Sequence, residues 1–178
     1  MHISEGVLSA PVLVAGAALA ITGVSVGLKK MDYENIPQAA VLSAVFFVAS
    51  LIHVPMGPSS VHLVLNGING LLLGWLCFPS ILIALTLQAI LFQFGGITVL
   101  GVNTVIMALP GLIGYYLFGG LIRGKNRLLS LVAAFACGLF SVLLSGILVA
   151  VALLSTGESF MTAAKLILLA HLPVMIIE

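Results

Sequence analysis

Charge is what this sequence has least of. Six Lys and Arg and five Asp and Glu make up 6% of its 178 residues, while 62% are hydrophobic and the mean hydropathy is +1.33. Soluble domains carry about 25% charged residues. A surface so poor in charge could not be wetted, so a soluble fold is excluded and lipid becomes the solvent. The net charge of +1 supplies no long-range field to gather nucleic acid or acidic partners. Cysteine is almost absent: Cys77 and Cys137 lie inside apolar runs at different depths, which fits packing and speaks against a disulfide. No basic segment precedes the first apolar run, so no cleavable secretory leader is expected. The N-terminus is expected to be mature as written, with the initiator Met retained before the bulky His2. The phosphate loop GxxxxGK[ST] and the zinc-protease pattern HExxH are both missing.

What is present is a series of apolar segments broken by Pro, Gly and charge. A helical span needs about 20 mostly apolar residues. The breaks give seven segments, at 7–28, 37–53, 60–78, 79–94, 98–119, 128–154 and 163–178. The reading is an all-α polytopic membrane helix bundle of about seven transmembrane helices forming one domain over 1–178. Lys29 and Lys30 follow the first segment, and Arg123, Lys125 and Arg127 follow the fifth. Cytoplasmic loops collect Lys and Arg, and alternation puts both clusters inside, so the N-terminus is expected outside. The final stretch AHLPVMIIE stops within an apolar run, so the last helix is expected to be truncated. Gly16, Gly23 and Gly27 share one side of the first helix, where small residues let backbones approach in lipid.

The most polar stretch, MHISEG, stands at the tip. The α-amine of Met1, with a pKa of about 8 when free, is one nitrogen ligand. The amide nitrogen of His2 closes a five-membered chelate ring, and its imidazole Nδ1 a six-membered ring. Three nitrogens then converge nearly in one plane, an array that suits Ni(II), Cu(II) and low-spin Co(II) better than tetrahedral Zn(II). A fourth nitrogen would close the plane, with His53, His62 and His171 as candidates. Ser9 before Pro11 reads as a capped helix start, leaving residues 1–8 as a metal-binding N-terminal loop. Glu5 reads either as a partner for an imidazole nitrogen or as a solvated loop residue. Met56, Met107 and Met175 read as packing residues.

MHISEG, GPSSVHL before the third segment, GVNTVIMALPG in the fifth and the ending AHLPVMIIE resemble the CbiM/NikM type of cobalt- and nickel-specific substrate-binding subunit of energy-coupling-factor transporters. The resemblance implies that the N-terminal loop plugs into the bundle. It implies a near-square-planar set made by the Met1 amine, the His2 amide, the His2 imidazole and His62, with His53 as the alternative. It implies that Asn103 braces the loop. The cargo would be Co2+ or Ni2+, with no organic cofactor, and the metal would serve cobalamin biosynthesis. Implied partners are a membrane coupling (T) subunit, cytoplasmic ATP-binding subunits and a small accessory membrane subunit. The location would be the prokaryotic inner (plasma) membrane. Two rivals come from other classes. An intramembrane metalloenzyme would need a metal-bound water and a general base, and a His/Asn-lined cation channel would need several ionisable groups along one pore. The chain is therefore expected not to be an enzyme.

Overall fold

The structure, a computed structural model of the chain, describes residues 2–56 and 59–178. Its first helix, α1 (Ala10–Lys29), shows how the bundle is built. Pro11 sits in the first turn, where a missing N–H leaves no bond unmade. The buried stripe is Gly16, Ala20, Gly23 and Gly27, while Val14, Leu19, Ile21 and Leu28 point outward. The glycines are there for contact: a Cβ at Gly16 would strike Val102, one at Gly23 would strike Phe78, and one at Gly27 would strike the Trp75 carbonyl and Pro79. Ser9 occupies the cap position as expected, but its hydroxyl makes no capping bond. Its backbone N–H instead donates to Thr156 Oγ1 at 3.2 Å, tying the start of α1 to the far end of a later helix.

After α1 come α2 (Ile36–Ala49), α3 (Asn66–Leu73), α4 (Cys77–Phe92), α5 (Leu100–Ile122), α6 (Arg127–Leu154) and α7 (Met161–Ile177). Five stretches are long and apolar enough to cross a membrane: Ala10–Lys29, Asn66–Phe92, Leu100–Ile122, Arg127–Leu154 and Glu158–Ile177. α2, at 14 residues, falls short. Apolar side chains such as Val132 and Phe135 on α6 and Ile83 and Ile90 on α4 cover the outer faces, as lipid requires.

The chain is an all-α bundle as expected, but the segment expected at 60–78 needs a correction. That stretch is not one helix. Between α2 and α3 lies an antiparallel hairpin, β1 (His53–Met56) and β2 (Ser59–His62), with His53 opposite His62 and Val54 opposite Val61. The chain then passes through α3, eight residues long, and a tight 3-10 turn at Gly74–Leu76 before α4. Pro55 and Pro58 oppose a helix here. Strand pairing satisfies the backbone groups that the bundle interior would otherwise leave unbonded.

Both basic clusters lie at one end of the bundle. Lys30 Nζ stands 5.4 Å above the Trp75 ring, Trp75 Nε1–H donates to the Tyr116 hydroxyl at 2.8 Å, and Arg123 lies 5.1 Å over Tyr115. The N-terminal loop lies at the other end, where the Glu5 N–H donates to the Gly95 carbonyl at 2.8 Å. Within α5, Pro110 removes the donor that would serve the Ile106 carbonyl. Ser145 Oγ of α6 donates to that carbonyl at 3.0 Å, while Asn66 Nδ2 donates to Ser145 Oγ at 2.8 Å and to the Met107 carbonyl at 3.1 Å. A break in one helix thus becomes a polar seam joining α3, α5 and α6.

Candidate metal centre

The described part of the N-terminal loop turns into the bundle. His2, Ile3 and Leu8 are buried, while Ser4, Glu5 and Gly6 stay exposed. Asn103 of α5 holds it by a reciprocal pair: the Ile3 N–H donates to Asn103 Oδ1 at 3.0 Å, and Asn103 Nδ2 donates to the Ile3 carbonyl at 3.1 Å. Ile3 also forms an antiparallel bridge with Ser59, whose hydroxyl donates to the His2 carbonyl at 3.0 Å. The loop therefore extends the hairpin that carries His62. Gly95 (φ +75) and Gly96 (φ +132) cradle it from the α4–α5 connection, where a side chain at Gly96 would collide with Glu5. Glu5 is not among the partners found for the imidazole. Its carboxylate accepts from the Thr98 N–H at 3.3 Å, just ahead of α5, where a helix N-terminus favours negative charge. A cavity of about 370 Å³ lined by Ser4, Glu5, Gln93, Gly95, Gly96 and Ile97 opens beside this loop.

The loop brings two imidazoles together. The rings of His2 and His62 have centroids 4.7 Å apart and planes tilted by 35°. They are 4% and 3% exposed, so no bulk water reaches them. Their tautomers follow from their partners. Gln88 Nε2 donates to the Phe47 carbonyl at 3.2 Å and to Ser50 Oγ. The Phe47 carbonyl can only accept, so the amide nitrogen must face it and Oε1 must face His2. Gln88 Oε1 then accepts from His2 Nε2–H at 2.7 Å, and the lone pair of the neutral ring stays on Nδ1. In His62, Nδ1–H donates to the Leu63 carbonyl at 2.6 Å. Its Nε2 is buried with no hydrogen-bond partner among the described residues. Burial pushes the His62 imidazole from 6.5 down to about 4, so it is neutral at pH 7 and carries a free lone pair. Each ring thus has one nitrogen anchored to an oxygen acceptor, and His62 Nε2 has no hydrogen-bond partner among the described residues.

Met1 lies outside the described residues, and so does the side chain of His53, although the backbone register sets His53 opposite His62. His171 is buried on α7. Gln88 is the residue that sequence reasoning missed. The signal was available, as an uncharged but strongly polar side chain in a long apolar segment, where polar groups are functional by default.

An apolar-faced helical bundle, with a strand hairpin and a folded-in N-terminus that bring two buried imidazoles together near one end, defines a polytopic membrane protein. The chain belongs to the CbiM family, whose profile, described as a cobalt uptake substrate-specific transmembrane region, matches residues 2–178. A putative metal transport protein of Haemophilus influenzae is 47% identical over 180 residues, covering 100% of this chain and 87% of that one. A fused nickel transport protein, NikMN, of Rhodobacter capsulatus is 35% identical over 117 residues, 62% of this chain and 34% of that longer protein. A solved structure described as a truncated transition metal transporter superposes with a TM-score of 0.80 at 25% identity, covering 100% of this chain and 92% of that one.

Proposed function

We propose that this chain is the substrate-binding membrane subunit for uptake of Co2+ or Ni2+. In this reading the ion is held by the Met1 amine, the His2 amide nitrogen, His2 Nδ1 and His62 Nε2. The observation that carries it is the pair of buried imidazoles, His2 and His62, with ring centroids 4.7 Å apart and His62 Nε2 without a hydrogen-bond partner among the described residues. Membership of a cobalt-uptake family and likeness to a nickel transport protein support the choice of cargo.

The hydrated ion approaches through the cavity beside Ser4 and Glu5 and exchanges water for nitrogen. The amine and the His2 amide lose protons as they bind, so affinity falls with acid. Residues 1–8 form the metal-binding loop of one transmembrane domain. Seven segments cross the membrane, with the N-terminus outside and the Lys30 and Arg123 end in the cytoplasm of a prokaryotic cell, as the shared position of the basic clusters supports. Energy comes from a membrane coupling subunit and cytoplasmic ATP-binding subunits, with a small accessory membrane subunit completing the set. The fusion in the Rhodobacter relative supports association with further transport subunits. The subunit itself performs no catalysis.

The test is metal analysis of protein purified with an untagged N-terminus after loading with Ni2+ or Co2+. The proposal expects one ion per chain, lost in His62→Ala and kept in His53→Ala. Stoichiometric metal in His62→Ala would remove His62 from the site.

A further inference from the structure

The bundle interior holds more unmet lone pairs than the candidate centre uses. Four buried side-chain atoms have no hydrogen-bond partner among the described residues: His62 Nε2, Asn66 Oδ1, Asn69 Oδ1 and His171 Nε2. All four are acceptors. For Asn66 this follows from its neighbours. Both of its N–H groups are engaged, one on the Met107 carbonyl and one on Ser145 Oγ, and Ser145 has committed its own hydrogen to the Ile106 carbonyl. Only Oδ1 is left. For His171, Nδ1–H donates to the Ile167 carbonyl one turn back, at 2.5 Å, so its lone pair sits on Nε2. A buried acceptor left bare is costly, and a set in which every bare atom is an acceptor suits a cation.

Two of these residues pack against consecutive positions of α6. Asn66 bonds Ser145, and the next residue, Gly146, has no side chain where the His171 ring lies: a Cβ there would be 3.3 Å from His171 Cγ. His171 and Asn66 are 1% and 0% exposed. His171 is ten positions into α7 from Met161, about 15 Å along its axis at 1.5 Å per residue. Asn66 opens α3, which runs on to the end of the bundle marked by Trp75 and Lys30.

We propose that His171 Nε2 and Asn66 Oδ1 form an inner station for the transported divalent ion, deeper in the bundle than the loop-closed site. This rests on the metal-binding reading above. Among the described residues no three His, Cys, Asp or Glu side chains converge to hold a metal ion, so one imidazole and one amide oxygen grip only weakly. Weakness suits a place of passage, since an ion that moves on must bind well enough to enter and loosely enough to leave.

The experiment measures two quantities for each variant: metal retained by the purified untagged chain, and uptake of radiolabelled Co2+ or Ni2+ by cells expressing it with its transport partners. His171→Leu and Asn66→Leu are expected to retain one ion with unchanged affinity while uptake falls by about tenfold or more, the scale of loss when a ligand-supporting group is removed. Should His171→Leu fail to fold, His171→Gln is read in the same way, with the thermal transition of each variant as the folding control. Unchanged uptake in the folded His171 variants overturns the inner station. Loss of bound metal equal to that of His62→Ala also overturns it, because His171 would then belong to the first site. If His62→Ala keeps its metal, the failure lies in the functional reading rather than in the inner station.

Discussion

Replacing Asn103 by Leu should loosen the N-terminal loop, by an amount the geometry sets. Asn103 closes a ring of two hydrogen bonds, 3.0 and 3.1 Å, on the backbone of Ile3. Asn103 is 2% exposed and Ile3 fully buried, so neither Ile3 group can turn to water while the loop is docked. Leucine nearly matches asparagine in size and offers no polar atom, which leaves the Ile3 N–H and carbonyl bare. Each orphaned group costs about 1–3 kcal/mol. The pair spans about 2–6 kcal/mol, and the lower quarter of that range gives about 2–3 kcal/mol against the docked loop. In the proposed site metal binding requires docking, and about 1.4 kcal/mol is tenfold in an equilibrium constant. The dissociation constant for Ni2+ should therefore rise by about 30- to 150-fold. The assay is calorimetric titration of the untagged protein, with amide hydrogen exchange across residues 2–8 as the structural readout. Faster exchange at Ile3 with α5 unchanged would accompany the loss of affinity. An affinity within threefold of wild type, with Ile3 still protected, would refute the reasoning.

Gln88→Leu should raise the dissociation constant by about 10- to 100-fold, as outer-shell losses at metal sites do, because nothing would then fix the His2 tautomer; the same titration checks it. Gly96→Ala should weaken binding more than Gly119→Ala. Gly96 has φ +132 and a Cβ there would strike Glu5, whereas Gly119 has open space around it. Lowering the pH from 8 to 5 should strip the metal with a slope of about two protons per ion, from the amine and the His2 amide. His62 contributes nothing to that slope: its pKa is lowered from 6.5 to about 4, so the neutral, metal-competent ring persists above pH 5 and is lost only as pH falls through 4. A titration midpoint near pH 4 would transfer the acid sensitivity to His62.

The sequence made the helices legible because lipid imposes a simple rule on composition, and each expected apolar segment overlaps one. The shared face of Gly16, Gly23 and Gly27 could be read from helical spacing alone. The hairpin could not. VHLVLNGINGLLL is apolar apart from His62, Asn66 and Asn69, and such a run does not distinguish a strand from a buried helix by period. What decides is tertiary: Ser59 and Ile3, 56 positions apart, complete each other's backbone pairing. The role of Gln88 was hidden for the same reason, since its partners come from two distant segments, His2 from the N-terminal loop and Phe47 and Ser50 from the end of α2. The bonds of Asn66 depend on a carbonyl freed by Pro110, a connection visible only once α3, α5 and α6 are packed. Asn103 drew notice through resemblance, and nothing beside it in the chain says that its partner is the backbone of Ile3.

The most direct measurement compares bound Ni2+ per chain in the protein beginning at Met1 with that in a version carrying one alanine ahead of it. The alanine moves the amine away from the His2 chelate while leaving His2, Gln88, Asn103 and His62 unchanged. One ion in the first protein and essentially none in the second is the predicted result. Equal metal in both would contradict a site built on the free terminus.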